Sequence, residues 1–145
     1  SKIKFFVNDI REKNQRLCLN FGHTFAHAIE MASSLKNKYQ INHGEAVALG
    51  ILCEMKYGKV SPKLCDYTNN LFKKYGLAKE IKIYNVSKKK FFEKIYKNLF
   101  LDKKRISKYP RYIRIDRNRK PIIDELRNLK KVKKIIFSTL NTINE

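Results

Sequence analysis

The sequence predicts one mainly α-helical domain, with room for a single short β-hairpin, over residues 1–145. Three observations support this. Apolar residues recur at three- and four-residue spacing in most segments, the period of a helix with one buried face. Ser, Gly and Pro fall where such helices should start and stop. The chain has no internal repeat, no Gly- or Ser-rich linker and no regular strand–helix alternation. A composition of 43% hydrophobic and 12% aromatic residues is enough to build a core and argues against disorder.

Ile3, Phe6, Val7 and Ile10 share a helical face, so the opening segment reads as the end of a helix. Starting at Ser1 inside an amphipathic segment, the chain is expected to be a fragment of a longer protein. Leu17 to about Ser34 reads as a second helix, with Phe21, Phe25, Ala28, Ile29 and Ala32 on its apolar side. A polar connection, Lys36 to Asn42, follows. Gly44 to about Gly58 is apolar nearly all round, which predicts a buried helix. Ser61 and Pro62 then supply an N-cap and a first helical residue. That helix runs through Leu64, Leu71 and Phe72 and stops near Gly76. Ser87 caps another, whose stripe is Phe91, Phe92, Ile95, Leu99 and Phe100. Tyr109 to Asp116 alternates weakly, as a strand would, and Arg117 to Lys120 reads as a turn. From Ile122 to about Leu140 the period is again helical.

No apolar run approaches the roughly eighteen residues of a membrane span, and no secretory signal is present. Cys18, Cys53 and Cys65 are an odd set without CxxC spacing, and read as reduced, partly buried thiols of a cytoplasmic protein. The 33 Lys and Arg residues against 13 Asp and Glu give a net charge of +20. These cations are scattered through every segment, alongside abundant Asn, Ile, Tyr and Phe, as AT-rich coding produces. No zinc-finger spacing, RNP signature or helix-turn-helix accompanies them. The charge therefore predicts a general attraction for anions, phosphorylated substrates included, and no specific nucleic-acid partner.

Chemistry concentrates in the stretch from Arg16 to Glu30. His23 and His27 are four residues apart, which puts both imidazoles on one helix face. Asn20 and Arg16 fall one and two turns back, roughly along the same side. A cation, an amide and two imidazoles together suit a metal and a polyhydroxylated anion, and cannot be ordinary core. His43-Gly44-Glu45 opens the most apolar helix, whose small residues allow close packing. If its neighbour is the His23 helix, two imidazoles converge on one ion. Two histidines are still an incomplete catalytic zinc site, which takes three protein ligands and an open position. A further ligand must come from outside these residues, or no metal binds. Plainer readings exist for each piece. An HxxxH pair is often only hydrogen-bonded, Asn20-Phe21-Gly22 could be a helix start, and Asp102-Lys103-Lys104 could be a solvated helix end.

Taken in order, the run from Leu19 to Glu30 followed by that from His43 to Gly50 resembles the signature region of the 3-dehydroquinate synthase family. Asp9, Glu12 and Arg16 repeat the family's Asp-x-x-Glu-x-x-x-Arg run, and Lys2 falls at the place of a substrate-binding lysine. Asp102-Lys103-Lys104 looks like its Asp-Lys-Lys motif. The similarity spans Lys2 to Lys104, and little that is specific follows Tyr109. Ala26 stands where the family commonly has glycine, and the link from Met31 to Asn42 is a few residues longer than usual.

The resemblance implies the helical, metal-binding C-terminal domain of that fold, with the N-terminal nucleotide-binding α/β domain absent from these residues. It implies His23 and His43 as ligands of Zn2+ or Co2+, with a glutamate of the N-terminal half as the third. Lys2, Arg16 and Asn20 would hold the substrate's carboxylate and hydroxyls. His27 would serve the phosphate and the proton transfers, and one of Lys103 or Lys104 the anion. The implied reaction, with NAD bound mainly by the other half, converts 3-deoxy-D-arabino-heptulosonate 7-phosphate to 3-dehydroquinate and phosphate. A cytoplasmic homodimer is implied too, with this segment alone inactive. Two other readings stay open: a related sugar phosphate cyclase or metal-dependent alcohol dehydrogenase, and a non-enzymatic basic domain that binds RNA or DNA. A simple alcohol needs no arginine–amide cradle, and a nucleic-acid binder has no use for two imidazoles on one face.

Overall fold

A computed structural model describes residues 13–34, 41–77, 88–101 and 108–141. The element order is α1 (described over 13–19), α2 (His23–Ser34), α3 (His43–Tyr57), α4 (Pro62–Lys74), α5 (Lys88–Asn98), β1 (Arg111–Ile115), β2 (Pro121–Glu125) and α6 (Leu129–Asn141). This is the mainly helical fold with one hairpin that the periodicity predicts. The opening helix read from Ile3 to Ile10, the Ser87 cap and most of the Lys36 to Asn42 connection lie outside the described residues. No described helix is long and apolar enough to cross a membrane.

α3 is the central post. Glu45 to Met55 includes nine buried residues, so the helix reading as apolar nearly all round is enclosed. Its start is fixed by a capping box: Asn42 Oδ1 accepts from Glu45 N at 2.8 Å, and Glu45 Oε2 accepts from Asn42 N at 3.3 Å. α2 packs along one side of α3 and α6 along another, while α5 closes the layer against α2 and α6. The core joins Phe25 and Ile29 of α2, Leu49 and Cys53 of α3, and Phe91, Phe92 and Ile95 of α5. Val132, Ile136 and Leu140 of α6 complete it. Each such side chain stabilises the fold by about 1.5–3 kcal/mol on burial.

α4 begins as its sequence predicts, with Ser61 Oγ accepting from Leu64 N at 3.3 Å and Pro62 at the first helical position. It ends at Tyr75 before Gly76, whose φ is 71°. Only Cys65 of this helix is buried, so Leu64 and Tyr67 stay exposed.

The C-terminal part departs from the sequence reading. Pro121–Glu125, expected within a helix from Ile122, is a strand paired antiparallel to β1, with Ile113 opposite Ile123. Asp116 makes the turn: its Oδ1 accepts from Asn118 N at 2.8 Å and Lys120 N at 2.9 Å, and Arg119 takes a φ of 59°. These bonds commit Arg117 to Lys120 to reversal and leave the apolar run after Pro121 to pair with β1. The helix starts only at Leu129, where Asn128 Oδ1 caps Lys131 N at 3.1 Å. Asn128 N in turn donates to Tyr57 Oη at 2.9 Å, which ties the end of the hairpin to α3.

Candidate metal and substrate site

The site is built on a turn that the sequence reading took as continuous helix. α1 stops at Leu19, and Asn20 to Gly22 form a turn before α2 begins at His23. Asn20 N donates to Leu17 O at 3.0 Å and His23 N to Asn20 O at 3.1 Å. Gly22 has a φ of 83°, the left-handed region that a side chain disfavours. Asn20 therefore reaches the side of His23 and His27 from the turn and not from a continuous helix, and Arg16 stands on the separate α1.

α3 offers a seat for this turn at Val47, Gly50, Ile51 and Glu54, which share a face by helical period. A Cβ on Gly22 would meet Ile51 Cγ1 at 2.6 Å and Val47 O at 2.9 Å, and one on Gly50 would overlap the Gly22 carbonyl. Two glycines thus let the backbones touch, and that contact brings the start of α2 beside the start of α3.

The three histidines consequently meet. The rings of His23 and His43 lie 5.8 Å apart between centroids, as do those of His23 and His27. His23 Nδ1 faces Phe21 O at 3.2 Å, and His43 Nδ1 faces Glu30 Oε1 at 2.8 Å. A carbonyl and a carboxylate both accept, so in the neutral form of each ring Nδ1 would carry the proton and leave Nε2 a lone pair. That is the tautomer of a metal-binding imidazole braced by a second acceptor. The donor set therefore fits a divalent metal such as zinc. Among the described residues, no group of three His, Cys, Asp or Glu side chains is placed to hold an ion. His23 and His43 could supply two ligands, and a third would have to come from elsewhere.

Beside the histidines opens a cleft of about 660 Å³. Asn20, His23, Thr24 and His27 line one side, with Asn98 and Leu99 beneath. The hairpin forms the far wall through Pro110, Arg111, Tyr112, Ile113 and Ile123. Thr24 Oγ1 donates to Arg111 O at 2.6 Å and fastens that wall to α2. Asn98 Nδ2 donates to Ala28 O at 3.0 Å and does the same for α5. Of the residues singled out by the sequence, Asn20, His23 and His27 line the cleft, and His43 stands against His23. Arg16 is exposed on α1 and is not among the lining residues. Lys2, Asp9, Glu12, Lys103 and Lys104 lie outside the described residues.

Two contributors escaped the sequence reading. Arg111, on the strand that folds back onto α2, lines the cleft and holds Thr24 through its carbonyl. Glu54 is the other. Only 1% exposed, it accepts from Gly22 N through Oε2 at 2.6 Å. Burial raises its carboxyl from the ordinary 4.5 to about 8, against the opposing pull of the Gly22, Ile113 and Thr24 backbone N–H groups. Its Oε1 has no hydrogen-bond partner of good geometry. The available signal was a glutamate inside the helix that is apolar nearly all round.

Fold and site together define a helical domain that presents His23 and His27 to a cleft of mixed polar and apolar lining, with His43 set against His23. The family model of the 3-dehydroquinate synthase C-terminal domain matches residues 1–105, so the chain belongs to that family. It is 35% identical over 116 residues to the 3-dehydroquinate synthase of Helicobacter pylori (strain G27), covering 77% of this chain and 31% of that protein. It is 38% identical over 111 residues to that of Campylobacter fetus subsp. fetus (strain 82-40), covering 74% and 30%. With that of Clostridium tetani (strain Massachusetts / E88) it shares 46% over 82 residues, covering 53% and 21%. The chain thus spans less than a third of the length of these relatives.

Proposed function

We propose that this chain supplies the metal- and substrate-binding part of an enzyme that converts 3-deoxy-D-arabino-heptulosonate 7-phosphate to 3-dehydroquinate and phosphate, a lyase step of the shikimate pathway. The observation that carries the reading is the meeting of His23 and His43 from two helices, each with Nδ1 committed to an acceptor. In this reading both Nε2 atoms hold Zn2+ or Co2+, and a carboxylate from the nucleotide-binding half completes the set. A metal held there would supply polarisation of a substrate hydroxyl, and NAD held by that other half would supply transient hydride transfer.

The chain's own residues bind, orient and move protons. Glu30 and the Phe21 carbonyl hold the two ligand rings in one tautomer. Asn20 offers an amide to the substrate's hydroxyls, which suits a polyhydroxylated ligand better than a simple alcohol. His27, on the cleft side of His23, is the titratable group available to pass a proton at the departing phosphate. Arg111 adds a guanidinium, the group best matched to carboxylate or phosphate oxygens. Arg16, Lys2 and one of Lys103 or Lys104 keep the anion-binding roles that the family resemblance gives them. A cytoplasmic homodimer belongs to the same reading, as does inactivity of this segment alone.

The test is phosphate release by the full gene product from the heptulosonate phosphate with NAD. Release that a chelator abolishes, and that His23→Ala lowers by about a thousandfold or more, is expected. No release from folded, zinc-loaded, NAD-bound protein would overturn the proposal. Alcohol oxidation without phosphate release would point to a dehydrogenase.

A further inference from the structure

We infer that Glu54 is a positioning residue for the histidine site, gripping the Gly22 amide and so fixing the turn that aims His23 into the cleft. The geometry is one of converging constraints. Glu54 sits one helical turn after Gly50, on the α3 face that receives the turn. Gly50 fixes how close the turn approaches, because its missing side chain leaves the Gly22 carbonyl in contact with α3. Glu54 fixes which way the turn faces, because its Oε2 takes the Gly22 N–H at 2.6 Å.

Gly22 immediately precedes His23, and its φ of 83° is a conformation with wide freedom for glycine. A peptide of that kind needs an outside contact to select one orientation. α2 begins directly after it, so a rotation at Gly22 swings the His23 ring relative to His43. The same carboxyl also faces the backbone N–H of Thr24, in the first turn of α2, and of Ile113, in the cleft's hairpin wall. Glu54 does not itself line the cleft, and its contacts there are to backbone N–H groups, so it acts through the backbone.

The experiment compares Glu54→Gln and Glu54→Met in the full gene product, and the kinetic arm rests on the proposed phosphate-releasing activity. Glutamine keeps an acceptor oxygen of the same reach, whereas methionine keeps the volume without it. Amide hydrogen exchange at Gly22 is the first readout and needs no activity. In the unsubstituted protein this amide is expected to exchange as slowly as the core amides of α3. Methionine should speed it at least about tenfold beyond any change in α3, and glutamine should restore most of the protection. The second readout is kinetic. Methionine should lower kcat about 10- to 100-fold with little change in KM, and glutamine should recover it to within a few-fold.

Fast exchange at Gly22 in the unsubstituted protein overturns the inference, whatever the variants do. So does a methionine variant with unchanged Gly22 protection and kcat, or equal losses in both variants that track stability alone. Absence of phosphate release from the unsubstituted protein counts against the proposed function and leaves the exchange readout to decide this one.

Discussion

Replacing Gly50 by alanine is expected to destabilise the protein by about 3 kcal/mol and to spoil the histidine site with it. In an ordinary helix interior that change is favourable, by roughly 1 kcal/mol. Here the added carbon would overlap the Gly22 carbonyl oxygen and lie 2.9 Å from its carbon and 3.0 Å from Ala26 N. All three are backbone atoms, so no rotamer change relieves the clash and α2 must move off α3. The His23 and His43 rings, one on each helix, then separate. Gly44 is the internal control, since a Cβ there meets only Asn42 Oδ1 at 3.5 Å and Leu77 Cδ2 at 3.8 Å. Urea denaturation should show Gly50→Ala with a much lower midpoint and Gly44→Ala within about 0.5 kcal/mol of the parent. Equal effects at the two positions would contradict the packing described for α2 on α3.

Stability is expected to fall as pH rises from 5 to 9, and Glu54 is the reason. Its carboxyl titrates near 8 when folded and near its ordinary 4.5 when unfolded. Between those values the folded protein holds a proton that the unfolded chain has released, so each step up in pH favours unfolding. The contribution is fully favourable below about 4.5, is lost progressively across the window, and leaves its whole penalty above 8. Its size is on the order of 4 kcal/mol. Cys53 and Tyr112, both pushed to about 12 by burial, titrate above the window. Chemical denaturation at pH 6 and pH 9 should therefore differ strongly in the parent protein and only slightly in Glu54→Gln. A parent protein equally stable at both values would show that Glu54 is not held protonated.

The histidines and the buried α3 were legible because helical period and residue type report them locally. His23, His27 and His43 need only their spacing and a guess that two helices pack. The turn at Asn20 to Gly22 was legible only as an alternative, a helix start at Asn20-Phe21-Gly22, because Leu17, Phe21 and Phe25 keep helical spacing straight through it. What decides for the break is the fit of two glycines across helices. β2 was hidden for a related reason: Pro121, Ile122 and Ile123 form a short apolar run that suits strand or helix alike. What decides it is the partner strand and the Asp116 turn. Arg111 reaches the cleft only once the hairpin folds back onto Thr24, a contact across 87 residues of sequence. Glu54 was overlooked in a chain with 32% charged residues, where a helical glutamate ordinarily faces water.

The most direct test of the paired-histidine centre is the zinc affinity of the full gene product, compared with four single substitutions. Two shared ligands predict that His23→Ala and His43→Ala each weaken binding by more than about 100-fold. Glu30→Gln, which removes the carboxylate bracing His43, should cost about 10- to 100-fold. His27→Ala should stay within a few-fold, since its role lies toward the substrate. Affinity unchanged by His23→Ala or His43→Ala, or lost equally with His27→Ala, would contradict a metal centre built on that pair.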